Sequence, residues 1–115
     1  MFARKVSIRL KPNSVFQFVD HLENQIMPIL RRQKGFLDEI SFVTPSGSQA
    51  FTVTFWDRQE NADVYARDGY LEVAKILGTV TEGPGQVEIF DVISSTVHKI
   101  AGGAAIAGPT LVLAR

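Results

Sequence analysis

The stretch Phe36–Trp56, which reads FLDEISFVTPSGSQAFTVTFW, decides the fold of this chain. Phe36 to Thr44 is predicted to be a strand. Gln49 to Trp56 is predicted to be another, because it is rich in β-branched and aromatic side chains. Pro45-Ser-Gly-Ser48, between them, has the composition of a turn. Because so short a turn joins the two strands, they are predicted to form an antiparallel hairpin.

One strand and one helix are predicted on the N-terminal side of this hairpin. In Phe2 to Leu10 every second residue is apolar except Arg4, so the apolar residues share one face of a strand. The side chain of Arg4 is expected to reach solvent or an acidic partner. The capping box Ser14–Gln17 then opens a helix with one apolar stripe. Pro28 predicts a kink or break late in this helix, and Gly35 suits a left-handed end.

A second helix and a fourth strand are predicted on the C-terminal side. The segment Asp57–Glu60 has the pattern of another capping box, and the helix that it opens is expected to be interrupted at Asp68-Gly69 before it ends near Leu77. Gly83-Pro84-Gly85 breaks the chain again, and Gln86 to about Val97 is predicted to be the last strand.

The order of these elements is strand, helix, hairpin, helix, strand. This is the α+β ferredoxin-like βαββαβ arrangement, in which both helices cover one face of an antiparallel four-stranded sheet. Residues 1–100 are therefore expected to form one domain. The tail 101–115 is rich in Gly and Ala and is expected to be mobile or to form an edge strand.

The third strand indicates what covers the other face of the sheet. Phe51, Val53 and Phe55 share one face, and Ala50, Thr52, Thr54 and Trp56 share the other. A strand with one face in water would alternate apolar with charged residues, but neither face here carries a charge. Because only two helices are available, the sheet of a second copy is the expected cover, in a symmetric two-fold dimer.

Composition excludes several classes of protein. Twelve Lys and Arg residues balance 12 Asp and Glu residues, so the chain lacks the basic excess of a nucleic-acid binder. The absence of cysteine excludes disulfides, thiolate catalysis and Cys-based metal sites. The beginning lacks a signal-peptide pattern, and no stretch reaches the ~18 apolar residues of a membrane span. A cytoplasmic protein without nucleic-acid or membrane partners is therefore expected.

Four features, taken together, resemble a known family. They are Met27–Phe36 at the end of the first helix, Phe55-Trp-Asp57 with Glu60-Asn-Ala62 after it, the helical segment from Tyr70-Leu71, and Glu88–Val92 in the last strand. In this order and spacing they resemble the antibiotic biosynthesis monooxygenase (ABM) family of the dimeric α+β barrel superfamily. The resemblance covers roughly residues 2–100. It implies a homodimer with sheet-on-sheet packing and a small pocket between the sheet and the helices of each protomer.

The haem-degrading branch of this family is not matched. That branch uses an asparagine on the first strand, a tryptophan on the second helix and a histidine on the helical segment that follows. Here the first strand has no asparagine, and the other two positions fall at about Tyr65 and near Ala74 or Lys75. The resemblance therefore does not imply haem degradation.

The cofactor-independent, quinone-forming branch is matched in part. It uses an asparagine and a tryptophan four residues apart on the third strand, with a tyrosine just beyond. Trp56 matches the tryptophan, and Thr52 stands at the asparagine position. The tyrosine position falls at about Ala62 or Asp63, and Tyr65 lies one helical turn further. Members of this branch oxidise aromatic polyketide or quinol substrates with molecular oxygen.

Five residues are the candidates for a site. His98 and Tyr65 are the catalytic candidates, and Trp56, Thr52 and Tyr70 are the candidates for substrate binding. Histidine is the type of base that works near neutral pH, and phenols can orient a quinol-like ring. Each residue also has a plainer interpretation, which is core packing for Trp56 and the tyrosines and a half-exposed strand end for His98.

No cofactor or metal site is predicted. His21 lies beside Asp20 and Glu23, away from the apolar stripe of its helix, and no metal-binding signature includes it, so a solvated helix face is expected there. The predicted function is a cofactor-independent monooxygenase acting on a small aromatic or quinol-type substrate. The alternatives are a non-catalytic small-molecule binding or interaction module on the same dimer, and an enzyme of another class, such as an isomerase or decarboxylase.

Overall fold

The computed structural model describes residues 1–100, and the prediction for the tail 101–115 lies outside the described residues. Four strands, which we number in chain order, form one antiparallel sheet: β1, Phe2–Arg9; β2, Phe36–Val43; β3, Gln49–Trp56; and β4, Gln86–Asp91. Their order across the sheet is β2-β3-β1-β4. The central hairpin and the ferredoxin-like α+β fold are thereby confirmed.

Two continuous helices connect the strands, and each contains a π-helical turn. The first helix, α1, spans residues 15–31 and the second, α2, spans residues 59–78. The π turns are Leu22–Ile26 in α1 and Tyr65–Gly69 in α2. In the described part of the chain, no helix is long and apolar enough to cross a membrane.

At Pro28, where a kink or break was predicted, the α-helix does not end, but the π turn interrupts its regular pattern just before the proline. The π turn of α1 ends directly before Met27, and the α-helix continues through Pro28 to Arg31. Because a π turn widens the helix, it can relieve the clash between the proline ring and the preceding turn. The predicted interruption at Asp68-Gly69 is confirmed in position, since both residues belong to the second π turn and the α-helical pattern resumes at Tyr70, although the helix does not break there.

The two predicted capping boxes are wrong, whereas the left-handed glycine is confirmed. The Ser14 hydroxyl donates to the carbonyl of Pro12 at 3.4 Å and caps no helical amide. The N-cap of α2 is Arg58, and the neighbouring Asp57 carboxylate accepts instead from the Asn61 side chain at 2.8 Å. Gly35 has a φ of +82°, which permits the chain to turn sharply from α1 into β2.

The fourth strand is shorter than predicted, since it ends at Asp91 and not near Val97. Its partner β1 begins at Phe2, which pairs with Asp91. One more hydrogen bond joins the Val92 amide to the carbonyl of Met1 at 2.9 Å. The chain then leaves the sheet edge, and His98 reaches the Asp38 carboxylate of β2.

The core lies between the two helices and one face of the sheet. The largest side chains that are fully buried there are Trp56, Phe18, Ile26, Leu30 and Val80. The apolar face of β1 is buried as predicted. The expectation for Arg4 is wrong, because its side chain lies within this core and only 6% of the residue is exposed.

The opposite face of the sheet carries no helix in the described residues, and we call it the open face. Phe51 and Phe42 stack on it with ring centroids 4.5 Å apart, and Ile40 and Phe42 are each nearly half exposed. The third strand therefore buries Ala50, Thr54 and Trp56 beneath the helices and presents Phe51, Val53 and Phe55 on the open face.

Candidate functional site

A small cavity lies between the sheet and the helices. Its volume is about 20 Å³, which is room for a single water, since one water needs roughly 10–15 Å³. Polar and apolar side chains from both the sheet and the helices line it. The lining residues are Arg4, Val6, Leu22, Ile26, Leu30, Thr52, Thr54, Tyr65, Tyr70, Val73 and Leu77.

Both π-helical turns border this cavity. Leu22 and Ile26 come from the π turn of α1, and Tyr65 comes from the π turn of α2. A π turn shifts the side chains that follow it relative to a regular helix, and such turns are frequent at functional sites. Two π turns on opposite sides of one cavity therefore mark it as the candidate site.

Arg4 supplies the positive charge of the cavity. Its guanidinium carbon lies 4.2 Å from the centroid of the Tyr70 ring and 5.6 Å from that of Tyr65. The ion pairs among residues 1–100 join Lys5 to Glu88 and Arg67 to Asp68, and the Asp38 carboxylate contacts the ring of His98. In this part of the chain, Arg4 thus contacts aromatic faces and no carboxylate.

Tyr65 and Trp56 form the aromatic wall beside Arg4. Their rings stack with centroids 4.9 Å apart, and the indole N–H of Trp56 donates to the Thr54 hydroxyl at 2.9 Å. Trp56 is fully buried behind Tyr65 and does not line the cavity itself. Burial raises the pKa of Tyr65 well above its ordinary value, so its phenol keeps its proton at neutral pH and is able to donate a hydrogen bond.

A chain of hydroxyl groups leads from the cavity to a carboxyl group on β2. The Ser41 hydroxyl donates to the carboxylate of Glu39 and lies 2.8 Å from the Thr52 hydroxyl. Because Ser41 has one proton to donate, Thr52 must donate to Ser41, which leaves the Thr52 oxygen free to accept. Burial raises the pKa of Glu39, although the hydrogen bond from Ser41 opposes the shift.

His98 lies on the other side of the sheet. Its Nε2 pairs with the carboxylate of Asp38, and Asp38 pairs in register with Phe55 on the open face. Tyr65 lies on the helix side, so the two predicted catalytic residues do not meet in one cavity. His21, at the surface of α1, is within hydrogen-bond distance of Thr79 and Gln25, which agrees with the expected helix face.

The cavity does not fit a metal or a haem. No histidine lines it, and its volume is far below that of a porphyrin. Among residues 1–100, no group of three or more His, Cys, Asp or Glu side chains could hold a metal ion.

The structure brings together Thr52, Tyr65 and Tyr70 from the predicted set. It also adds Arg4, Glu39 and Ser41, none of which was predicted as a site residue. One signal for Arg4 was available, because it is the charge that interrupts the apolar face of the first strand. Glu39 and Ser41 gave no such signal, since polar residues on a predicted edge strand usually contact water.

Comparison with solved structures finds chains of the same fold. A monooxygenase of Streptomyces coelicolor in complex with nanaomycin D is 16% identical and aligns over 85% of this chain and 92% of its own, with a TM-score of 0.71. A candidate antibiotic biosynthesis monooxygenase of Bordetella bronchiseptica is 18% identical and aligns over 81% and 98%, with a TM-score of 0.67. A mutant of MhuD with two manganese protoporphyrin IX molecules per active site is 16% identical and aligns over 84% and 98%, with a TM-score of 0.66.

No family model matches the sequence, and no curated protein matches it. At identities this low the structural likeness establishes the fold, and one fold can carry different chemistries. The MhuD mutant binds a metalloporphyrin, whereas the cavity described above has neither the volume nor the histidine for one.

Proposed function

We propose, from the premise that this chain has the fold of the antibiotic biosynthesis monooxygenases, that it oxidises a small aromatic or quinol-type substrate with molecular oxygen and without a cofactor. The observation that carries the proposal is the cavity that two π turns border, where a phenol donor, a hydroxyl acceptor and a cation converge. Tyr65, Thr52 and Arg4 supply these groups.

The chemistry needs little more than a deprotonated and oriented substrate. When a hydroquinone gains one oxygen atom and loses two hydrogens, it becomes a hydroxyquinone, and the second oxygen atom leaves as water. The substrate supplies all four electrons, so the reaction requires no external reductant. The protein has to remove a phenolic proton, hold the ring and exclude bulk water.

The hydroxyl chain supplies a path for that proton. A substrate O–H can donate to Thr52, which donates to Ser41, which in turn donates to Glu39. All three hydrogen bonds then point from the cavity toward the carboxylate, which is the direction that general-base catalysis requires. Because its pKa is raised, the Glu39 carboxylate is a stronger base than an ordinary glutamate.

The remaining candidates take supporting roles in this proposal. Tyr65 donates to an oxygen atom of the substrate, Tyr70 covers the ring, and Trp56 holds Tyr65 in place by stacking. His98 would have to act across the sheet from Tyr65, so we assign it no step at the cavity.

The proposed assembly is a homodimer through the open face. Its exposed and partly exposed apolar residues come from β2, β3 and β4, and a contiguous apolar patch of this kind is typical of a protein–protein interface. They include Ile40, Phe42, Phe51, Val53, Phe55 and Phe90. A second copy packed sheet on sheet would cover them and leave the cavity on the helix side of each protomer.

Oxygen uptake with a panel of benzene and naphthalene hydroquinones tests the enzymatic proposal. With labelled O₂ and added catalase, one labelled atom should enter the product, whereas autoxidation yields peroxide and inserts none. Glu39→Gln is expected to lower kcat by about a hundredfold and to remove the rise of activity with pH. His98→Ala, on the other face, is expected to retain most activity. Labelled product in no reaction of the panel would defeat the proposal.

A binding module without catalysis is the second candidate function. Two of the three positions of the quinone-forming branch are not matched, which favours it, because Thr52 replaces the asparagine and Ala62 or Asp63 replaces the tyrosine. In either function an aromatic ligand would have to displace Tyr70 or part of α2, because about 20 Å³ holds one water and no aromatic ring. Saturable binding of a hydroquinone without the formation of labelled product would support this function.

A further inference from the structure

Arg4 is a buried cation for which the described structure provides no counter-charge. The residue is 6% exposed, and the ion pairs among residues 1–100 do not include it. The tail 101–115 contains no Asp or Glu, so no side chain there could neutralise Arg4. Buried charges in proteins are normally paired, because removing a charge from water without a partner is costly.

Two tyrosine rings compensate for part of this cost. The guanidinium lies over Tyr70 at 4.2 Å and near Tyr65 at 5.6 Å, in the range of cation–π contacts. Such contacts use the face of the guanidinium and leave the N–H groups at its edge to form hydrogen bonds. Arg4 also lines the cavity, so an acceptor placed there can reach it.

The other polar groups of the cavity define one position for a negatively charged oxygen of a ligand and another for a neutral hydroxyl group. The Tyr65 phenol keeps its proton and can donate beside Arg4, so that side suits a negatively charged oxygen. Thr52 donates to Ser41 and can only accept from the cavity, so that side suits a neutral hydroxyl group. A cavity the size of one water matches one carboxylate oxygen better than a phosphate group.

We propose that Arg4 binds the carboxylate of an aromatic acid, whose phenolic hydroxyl reaches Thr52. This carboxylate adds to the proposed function the charged group of the ligand that the same cavity would bind. It rests on the proposed function only for the aromatic ring of that ligand.

Gentisate, a hydroquinone that carries a carboxylate, is the probe, and gentisamide is its uncharged match. Binding is titrated without oxygen through the fluorescence of Trp56, the single tryptophan, which stacks on Tyr65. The wild-type chain is expected to bind gentisate at least about tenfold more tightly than gentisamide, as a charge-assisted hydrogen bond implies. Arg4→Gln should abolish this preference.

Arg9→Gln is the matched control, because Arg9 lies exposed on the same strand, and it should keep the preference. Equal affinity of the wild type for both probes, no binding of gentisate, or a preference that survives in Arg4→Gln would overturn the proposal. If Arg4→Gln does not fold, Arg4→Lys replaces it. The preference should then fall without vanishing, because lysine keeps the charge but loses the planar fork, and an unchanged preference would count against Arg4.

The outcome separates this inference from the proposed function. Selective binding of gentisate with no labelled product would keep the anion site and defeat the oxygenase. Oxygen insertion into gentisamide and gentisate at equal rates, in the wild type and in Arg4→Gln, would keep the oxygenase and defeat the anion site.

Discussion

The guanidinium of Arg4 lies beneath the ring of Tyr70, with its central carbon 4.2 Å from the ring centroid. Tyr70 is half-buried, whereas Arg4 is almost completely covered. The ring of Tyr70 therefore covers one face of the guanidinium. A ligand that reaches Arg4 from outside must displace this ring or enter from another side.

Tyr70→Ala is expected to speed the entry of ligands. Removal of the ring exposes the guanidinium and enlarges the cavity, so the association rate of gentisate, measured by stopped-flow fluorescence of Trp56, should rise several-fold. Leu71→Ala is the control, because Leu71 is 65% exposed on the same helix and does not line the cavity. An unchanged rate in Tyr70→Ala would show that ligands do not enter past Tyr70.

Trp56→Phe is expected to destabilise the fold by about 1–3 kcal/mol. The smaller ring leaves a void beside Tyr65 and removes the indole donor of the Thr54 hydroxyl. Unfolding by urea, followed by circular dichroism, measures the change. Phe16→Leu, at a residue that is 90% exposed, should stay within about 0.5 kcal/mol of the wild type. Equal losses in the two variants would contradict the packing described here.

Stability is expected to fall at alkaline pH because of Tyr65. Its pKa in the folded state is raised by burial, while in the unfolded state it is ~10. The unfolded chain therefore loses this proton first as pH rises. The contribution is fully present below about pH 10 and declines above it, since the unfolded state then binds fewer protons.

Two measurements check this dependence. The free energy of unfolding should fall less steeply above about pH 10 in Tyr65→Phe than in the wild type. In the ultraviolet absorbance of the folded wild type, Tyr65 should remain a phenol until the chain unfolds. A Tyr65 signal that titrates at its ordinary pKa in the folded protein would refute the buried position.

Val53→Asp is expected to convert the proposed dimer into monomers. Val53 lies on the central strand β3 among the apolar residues of the open face, so a carboxylate there would be buried without a partner in a sheet-on-sheet dimer. Sedimentation velocity at micromolar concentration reports the assembly. Leu71→Asp places the same charge on the helix side and should leave it unchanged. A wild-type chain that sediments as a monomer would rule the dimer out.

Gly35→Ala is expected to cost about 1–2 kcal/mol or more. The residue has a φ of +82°, and an added Cβ would meet the side chains of Asp57 and Asn61. Gly78→Ala is the matched control, because open space surrounds that position and its φ is not positive. Thermal unfolding should show a clear decrease in Tm for the first variant and little change for the second. Equal Tm values would contradict the left-handed turn.

The sequence predicted the fold well because the fold depends on local patterns. The hairpin Phe36–Trp56 follows from strand propensity and a turn, and the order of elements follows from apolar spacing and breakers. The errors lie where neighbours in space override local signals. Arg4 is buried because the rings of Tyr65 and Tyr70 lie against it, and β4 ends at Asp91, the residue that pairs with the first residue of β1.

The candidate site was predicted less completely. Thr52, Tyr65 and Tyr70 do meet at one cavity, but His98 lies across the sheet. The sequence places His98 after the last strand without saying on which face the chain leaves it. Glu39 and Ser41 became visible only through a hydrogen bond within β2 and a second one that joins Ser41 to Thr52 of the neighbouring strand.

Apolar spacing, strand propensity and turn residues by themselves determined the strand and helix order and the apolar faces of the sheet. The tertiary structure alone decided that Arg4 is buried beneath Tyr70, that two π turns border one cavity, and that this cavity holds about one water. The physical reason is that local patterns fix which face a side chain takes. How deeply a charged side chain is buried, and how much space remains around it, depend on how elements distant in sequence pack together.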